Sequence, residues 1–197
     1  MNQRKAAMSR QTAETAISVA LDIDGSGRSV IETGIGFFDH LLTALAKHSL
    51  IDLEIKAAGD LHVDGHHTVE DTGILLGRAI AAALGEGEGL VRFGHAYCPL
   101  DEALARAVVD ISGRGYFAWK CPPPLRQVGD FDGELLPEFL RALAVNAGIT
   151  LHAALLAGRN QHHIMESVVK AVARALRMAA SLDPRQPGVP STKGRLG

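Results

Sequence analysis

The sequence predicts an α+β protein made of two duplicated half-domains, each a β-sheet with helices packed on one face. Three features of the 197-residue chain lead there. A His-His-x-x-Glu segment occurs twice, strand and helix patterns surround each copy in the same order, and a glycine-rich seam lies between them. The halves divide at 1–90 and 91–197, a length that allows two small half-domains to share one core.

Each half opens on a strand hairpin. Leu21-Asp22-Ile23-Asp24-Gly25-Ser26-Gly27 matches Val109-Asp110-Ile111-Ser112-Gly113-Arg114-Gly115 in pattern. A helix follows, with His40-Leu41-Leu42-Thr43-Ala44-Leu45 facing Glu138-Phe139-Leu140-Arg141-Ala142-Leu143. Placing His66-His67 over His162-His163 sets an offset of 96 residues. At that offset Leu53-Glu54-Ile55-Lys56-Ala57-Ala58 faces Ile149-Thr150-Leu151-His152-Ala153-Ala154, both with strand character. A helix closes each half, through Gly73 to Ala79 and through Val168 to Ala175. The run Gly85-Glu86-Gly87-Glu88-Gly89 marks the seam. Cys121 to Gly133, with Pro122-Pro123-Pro124, reads as a loop, and Asp183 to Gly197, with three prolines, as an extended tail.

Composition excludes several classes. A formal net charge of -2 argues against general affinity for nucleic acid or anionic membranes. Cys98 and Cys121 form no disulfide framework and no Cys-x-x-Cys zinc spacing. The first twenty residues lack the apolar core of a signal peptide, and no run reaches the ~18 apolar residues that span a bilayer. A reducing, cytoplasmic setting is expected.

The paired motifs, His66-His67-x-x-Glu70 and His162-His163-x-x-Glu166, point to metal. On a helix, position i+4 lies about 40° around the axis from i, and i+3 about 60° the other way. Glu70 can therefore cooperate with either His66 or His67, whereas the two imidazoles diverge by about 100°. One helix start can supply two different ions. Imidazole and carboxylate without thiolate suit Mn, Fe, Co, Ni or Zn. Neither copy is the His-Glu-x-x-His pattern of zinc proteases. The duplication adds His40 and its counterpart Glu138, giving four positions per half: His40, His66, His67, Glu70 and Glu138, His162, His163, Glu166.

Several cations could hold a small anion: Arg92, Arg114, Lys170 one helical turn beyond Glu166, and Lys193 within Ser191-Thr192-Lys193-Gly194. The last segment lacks the Gly-x-x-x-x-Gly-Lys pattern of a nucleotide P-loop.

Thr33-Gly34-Ile35-Gly36-Phe37-Phe38-Asp39-His40, Asp64-Gly65-His66-His67-Thr68-Val69-Glu70-Asp71, Pro99-Leu100-Asp101-Glu102-Ala103, Asp110-Ile111-Ser112-Gly113-Arg114, His162-His163-Ile164-Met165-Glu166 and Pro190-Ser191-Thr192-Lys193-Gly194 together resemble the imidazoleglycerol-phosphate dehydratase family. The resemblance runs from about Arg10 to the C-terminus. It implies a ribosomal protein S5 domain 2-like fold and an octahedral 24-mer with active sites between subunits. It also implies two Mn²⁺ ions per active site and a phosphorylated imidazole as substrate. By motif position, one ion resembles a site of His40, His66, Glu70 and His163, and the other a site of His67, His162, Glu166 and Glu138. The phosphate-binding positions fall on Arg92, Arg114, Lys170, Lys193 and Ser191. Glu138 stands where many members have histidine, and Ala44 where relatives can carry a glutamine near the substrate.

The implied reaction removes hydrogen from a carbon that is not next to a carbonyl, so the substrate's imidazole is the electronic handle. A metal on a ring nitrogen favours imidazolate and lets ring electrons expel the C3 hydroxyl. Loss of the C2 proton then gives an enol, which becomes the ketone. Glu14 resembles a family carboxylate near the reacting carbons and is the expected base, with Glu70 and Glu166 holding the ions. The rival readings are a two-metal hydrolase, which would release inorganic phosphate, and a metal-storing cage without turnover.

Overall fold

The structure is a computed structural model describing residues 3–122 and 124–197. Met1, Asn2 and Pro123 of the expected proline loop lie outside the described residues. The first half comprises β1 (Lys5–Gln11), β2 (Thr15–Asp22), β3 (Ser29–Glu32), α1 (Gly36–Ser49), β4 (Asp52–Gly59) and α2 (His66–Leu84). The second repeats the order as β5 (Phe93–Leu100), β6 (Ala103–Asp110), β7 (Tyr116–Lys120), α3 (Leu135–Asn146), β8 (Thr150–Ala157) and α4 (Gln161–Ala180). The sheets are likewise equivalent, with strand orders β1-β2-β4-β3 and β5-β6-β8-β7.

Alternation builds each sheet. In β2, Thr15, Ile17, Val19 and Leu21 point inward while Ala16 and Ser18 face out. In β6, Ala103, Ala105, Ala107 and Val109 do the same. These inner faces meet helices. α2 lies on β1 and β2, and α4 on β5 and β6. The shorter helices cross over, α1 packing on α4 and α3 on α2, so the two halves share one helical layer and one buried core. Close approach depends on glycine. A Cβ on Gly77 would lie 2.6 Å from the Leu143 carbonyl oxygen, and one on Gly94 would lie 2.0 Å from that of Ala175.

The structure departs from the sequence reading in three places, and the expected loop before α3 carries an anchor. Each hairpin gains a third strand, β3 or β7, parallel to β4 or β8 at the sheet edge. Asp22 pairs with Asp52 and Asp110 with Thr150, so Leu53 corresponds to Leu151 and not to Ile149. The cause is a shorter connection into the second motif, and the even shift keeps the same face of the strand buried. The tail is not extended. It folds back across the seam, with Gly89 N donating to Gly188 O at 2.8 Å and Gly197 N to Ser112 O at 2.9 Å. The loop before α3 is anchored, because Phe131 is fully buried and bridges to Val128. The 90/91 division falls between α2 and β5. Among the described residues no helix is long and apolar enough to cross a membrane.

Candidate metal centre and anion cleft

Both His-His pairs sit in the first turn of a long helix, where amides have no intrahelical partner. Asp64 Oδ1 accepts from the His66 amide at 2.7 Å. Asn160 Oδ1 accepts from the amides of His162 and His163 at 3.0 and 3.4 Å. These caps fix where each imidazole leaves the helix.

The first histidine of each motif faces its own glutamate. His162 Nε2 lies 3.0 Å from Glu166 Oε2, and His66 Nε2 lies 3.8 Å from Glu70 Oε2. Because α1 packs on α4, His40 Nε2 reaches the same Glu166 oxygen at 3.1 Å. His40, His162 and Glu166 thus bring three ligand atoms within 4.8 Å of one another. Phe37 packs against both rings, with centroids 5.9 and 5.0 Å away. Lys170 Nζ holds the other Glu166 oxygen at 2.6 Å. Burial pushes the Glu166 carboxyl up, but hydrogen bonds from Lys170 and His40 outweigh it and hold it at about 2.

The second histidines diverge, each toward a carboxylate from elsewhere in the chain. His67 Nδ1 lies 3.0 Å from Asp60 Oδ2, and His163 Nδ1 lies 2.8 Å from Glu102 Oε2. Both imidazoles are shifted upward by those carboxylates, against a smaller opposing effect of desolvation. The His163 hydrogen bond and the amides of Asn160 and Arg159 lower Glu102 to about 2. A ring held through one nitrogen by a carboxylate, with the other nitrogen left for an ion, is the usual arrangement of metal-ligating histidine. The Nε2 atoms of His67 and His163 lie 3.9 Å from Glu14 and Asp101, respectively.

Asp60 and Glu102 escape sequence reasoning: Asp60 meets His67 seven residues on through an irregular connection, and Glu102 meets His163 61 residues on only in the folded chain. The duplication offered one signal: Glu14 sits at the tip of the β1–β2 hairpin, and Asp101 and Glu102 at the tip of β5–β6.

Within one chain the side chains group differently from the division that motif position implies between subunits. Within one chain His40 joins His162 and Glu166, not His66 and Glu70. Glu138 joins the other set: Arg141 Nε donates to Glu138 Oε2 at 3.0 Å, and its NH2 group donates to Glu70 Oε1 at 3.1 Å. His66 and Glu138 line the same cleft. The exchange follows from the crossed packing of α1 on α4 and α3 on α2.

Arg92, Arg114, Ser191 and Lys193 line one cleft of about 680 Å³, joined by Arg195, which the sequence reading did not single out. Arg92 donates to Asp110 at 2.7 Å and to the Pro190 carbonyl at 2.7 Å, which ties the tail to the cleft. Lys170 is not among these residues; within the chain it is committed to Glu166. Glu14 is exposed at its hairpin tip, and Ala44 is buried in the core.

Comparison with known proteins gives a consistent result. The family model for imidazoleglycerol-phosphate dehydratase matches residues 33–176. The imidazoleglycerol-phosphate dehydratase of Gluconobacter oxydans is 59% identical over 198 residues, covering 100% of both chains. That of Desulforamulus reducens is 54% identical, again covering 100% of each. A crystal structure of the Staphylococcus aureus enzyme superposes with a TM-score of 0.82 at 38% identity, covering 91% of this chain and 99% of that one. One from Pyrococcus furiosus has a TM-score of 0.82 at 38% identity, covering 96% and 100%.

Proposed function

The chain belongs to the imidazoleglycerol-phosphate dehydratase family of hydro-lyases, and we propose that it converts imidazole glycerol phosphate to imidazole acetol phosphate in histidine biosynthesis, using two Mn²⁺ ions per active site. The observation that carries this reading is the convergence of His40, His162 and Glu166 within 4.8 Å. Two imidazole nitrogens and one carboxylate oxygen, with no thiolate, fit a divalent first-row ion, Mn²⁺ among them. His66, Glu70 and Glu138 would hold the second ion.

His67 rests on Asp60 of the β4–α2 connection and His163 on Glu102 of the β5–β6 hairpin, away from these clusters, which supports their completing sites in neighbouring copies of a homo-oligomer, as in a 24-mer. When bound, the ions supply a Lewis acid that makes the substrate's imidazole an electron sink. The protein's own groups do the rest. Asp60 and Glu102 fix the ring orientation of His67 and His163, and Lys170 keeps Glu166 ionised. Arg92, Arg114, Ser191 and Lys193 bind the substrate phosphate, which fixes the reacting carbons relative to the histidine clusters. Lys170 of a neighbouring copy could add to that cleft. Glu14, beside His67 on an exposed tip, takes the C2 proton.

Product analysis tests the reading. Mn²⁺-loaded protein given imidazole glycerol phosphate should form a ketone that retains its phosphate. Release of inorganic phosphate instead would select a two-metal hydrolase, and a loaded protein that turned over nothing would select storage.

A further inference from the structure

The internal duplication gives two ligand sets that are variants of one design, and they are chemically unequal. The cluster between α1 and α4 offers two imidazoles and one carboxylate, His40, His162 and Glu166. Its counterpart between α2 and α3 carries one imidazole, His66, and two carboxylates, Glu70 and Glu138, which are joined through Arg141 and not drawn within 4.8 Å of one another as the first three are. The extra negative charge at Glu138 is met by Arg141, which bridges both carboxylates and occupies Glu138 Oε2 and Glu70 Oε1. Glu70 Oε2 remains turned toward His66 at 3.8 Å. The cleft beside it is also acidic, with Asp64, Asp130 and Asp132 in its wall.

We propose that the two metal positions differ in selectivity, and that Glu138 and Arg141 set the difference. This rests on the metal-dependent reading above. Imidazole ligands favour zinc-like ions, whereas carboxylate oxygens favour Mn²⁺ and Mg²⁺. The α1/α4 cluster is therefore the imidazole-rich position, and the α2/α3 cluster the oxygen-rich one, where Mn²⁺ holds its ground best against Zn²⁺. Arg141 has two opposing effects there. Its charge repels the ion, but the side chain is about half exposed, so water screens that repulsion. Its hydrogen bonds also fix two flexible glutamates, which otherwise lose rotamer freedom on binding. Positioning outweighs repulsion, and Arg141 is a positioning residue.

The test is Mn²⁺ binding to the chelator-stripped full-length protein, read by the electron paramagnetic resonance signal of free Mn²⁺, with Zn²⁺ as competitor. The wild-type protein should show two classes of site, with Zn²⁺ preference differing by about tenfold or more. Glu138→His should bring the oxygen-rich class toward the other and leave the imidazole-rich class unchanged. If that variant does not fold, Glu138→Gln serves, and should weaken the same class alone. Arg141→Gln should weaken Mn²⁺ binding at that class by about tenfold, with an unchanged melting temperature. Two indistinguishable classes in the wild-type protein, or variants that move both classes equally or neither, would overturn the inference. Tighter Mn²⁺ binding in Arg141→Gln would overturn the role of Arg141. Absence of stoichiometric Mn²⁺ binding in the wild-type protein would instead remove the metal-dependent reading beneath it.

Discussion

His163 Nδ1 lies 2.8 Å from Glu102 Oε2, a contact made across a sheet and a helix between residues 61 positions apart. The same relationship joins His67 to Asp60 on the other half. A carboxylate behind an imidazole fixes its tautomer and raises its basicity toward a metal. Glu102→Ala and Asp60→Ala should each lower Mn²⁺ affinity by about 10–100-fold while leaving the far-ultraviolet circular dichroism spectrum unchanged. Titration of stripped protein with Mn²⁺ checks this.

Glu70 and Glu166 belong to different clusters within the chain. Glu70→Ala and Glu166→Ala should therefore each abolish dehydration, and each should lower bound Mn²⁺ through a different class of site. Elemental analysis after gel filtration measures the loss. A double variant should retain less metal than either single variant.

The anion cleft separates binding from stability. The Arg114 side chain makes a long hydrogen bond to its own neighbourhood, from its NH1 group to Ser112 O at 3.4 Å. Arg114→Ala should raise KM for the phosphorylated substrate by about 10–100-fold, the size of a lost charge-assisted hydrogen bond, with little change in melting temperature. Arg92 also holds Asp110 and Pro190, so Arg92→Ala should raise KM and lower the melting temperature together.

Helix contact across the halves depends on absent side chains. Gly77→Ala would place a Cβ 2.6 Å from the Leu143 carbonyl and 2.9 Å from the Ala147 amide nitrogen, both backbone atoms. The expected cost is about 1–3 kcal/mol, read from urea unfolding. Gly36→Ala meets nothing within 4 Å and should fall within about 0.5 kcal/mol of the wild-type protein.

Asp52 gives a pH signature away from the metal centre. Its carboxylate accepts from the Arg28 side chain and from the amides of Ser26 and Arg28, which hold it well below the usual carboxylate range. A folded pKa below the unfolded one contributes stability above the ordinary carboxylate pKa of about 3.9, lost as pH falls toward the depressed folded value. Asp52→Asn should therefore lower the melting temperature at neutral pH, and its gap to the wild-type protein should close in acid.

The duplication and the two His-His-x-x-Glu motifs were legible because they rest on local spacing. His66-x-x-x-Glu70 and His162-x-x-x-Glu166 are fixed by helical periodicity, and the structure keeps both pairs. What local spacing cannot carry is helix exchange. Nothing between residues 36 and 49 says that α1 will lie on α4, so the grouping of His40 with Glu166 was not readable. Arg141, which reaches Glu70 across the α2–α3 contact, was hidden for the same reason, whereas Asp60 and Glu102 meet their histidines within one half through loop geometry that carries no periodicity. The edge strand β3 is only four residues long, too short for its alternation to stand out, and the two-residue slip of β8 arose in a connection without periodicity.

The central claim is that dehydration depends on divalent metal held by these histidines and glutamates. The most direct measurement follows imidazole acetol phosphate formation by chelator-stripped protein as Mn²⁺ is returned and bound metal is counted. The account predicts negligible activity without metal, rising as Mn²⁺ fills the sites and absent at every loading in Glu166→Ala. Full activity in metal-free protein would contradict it.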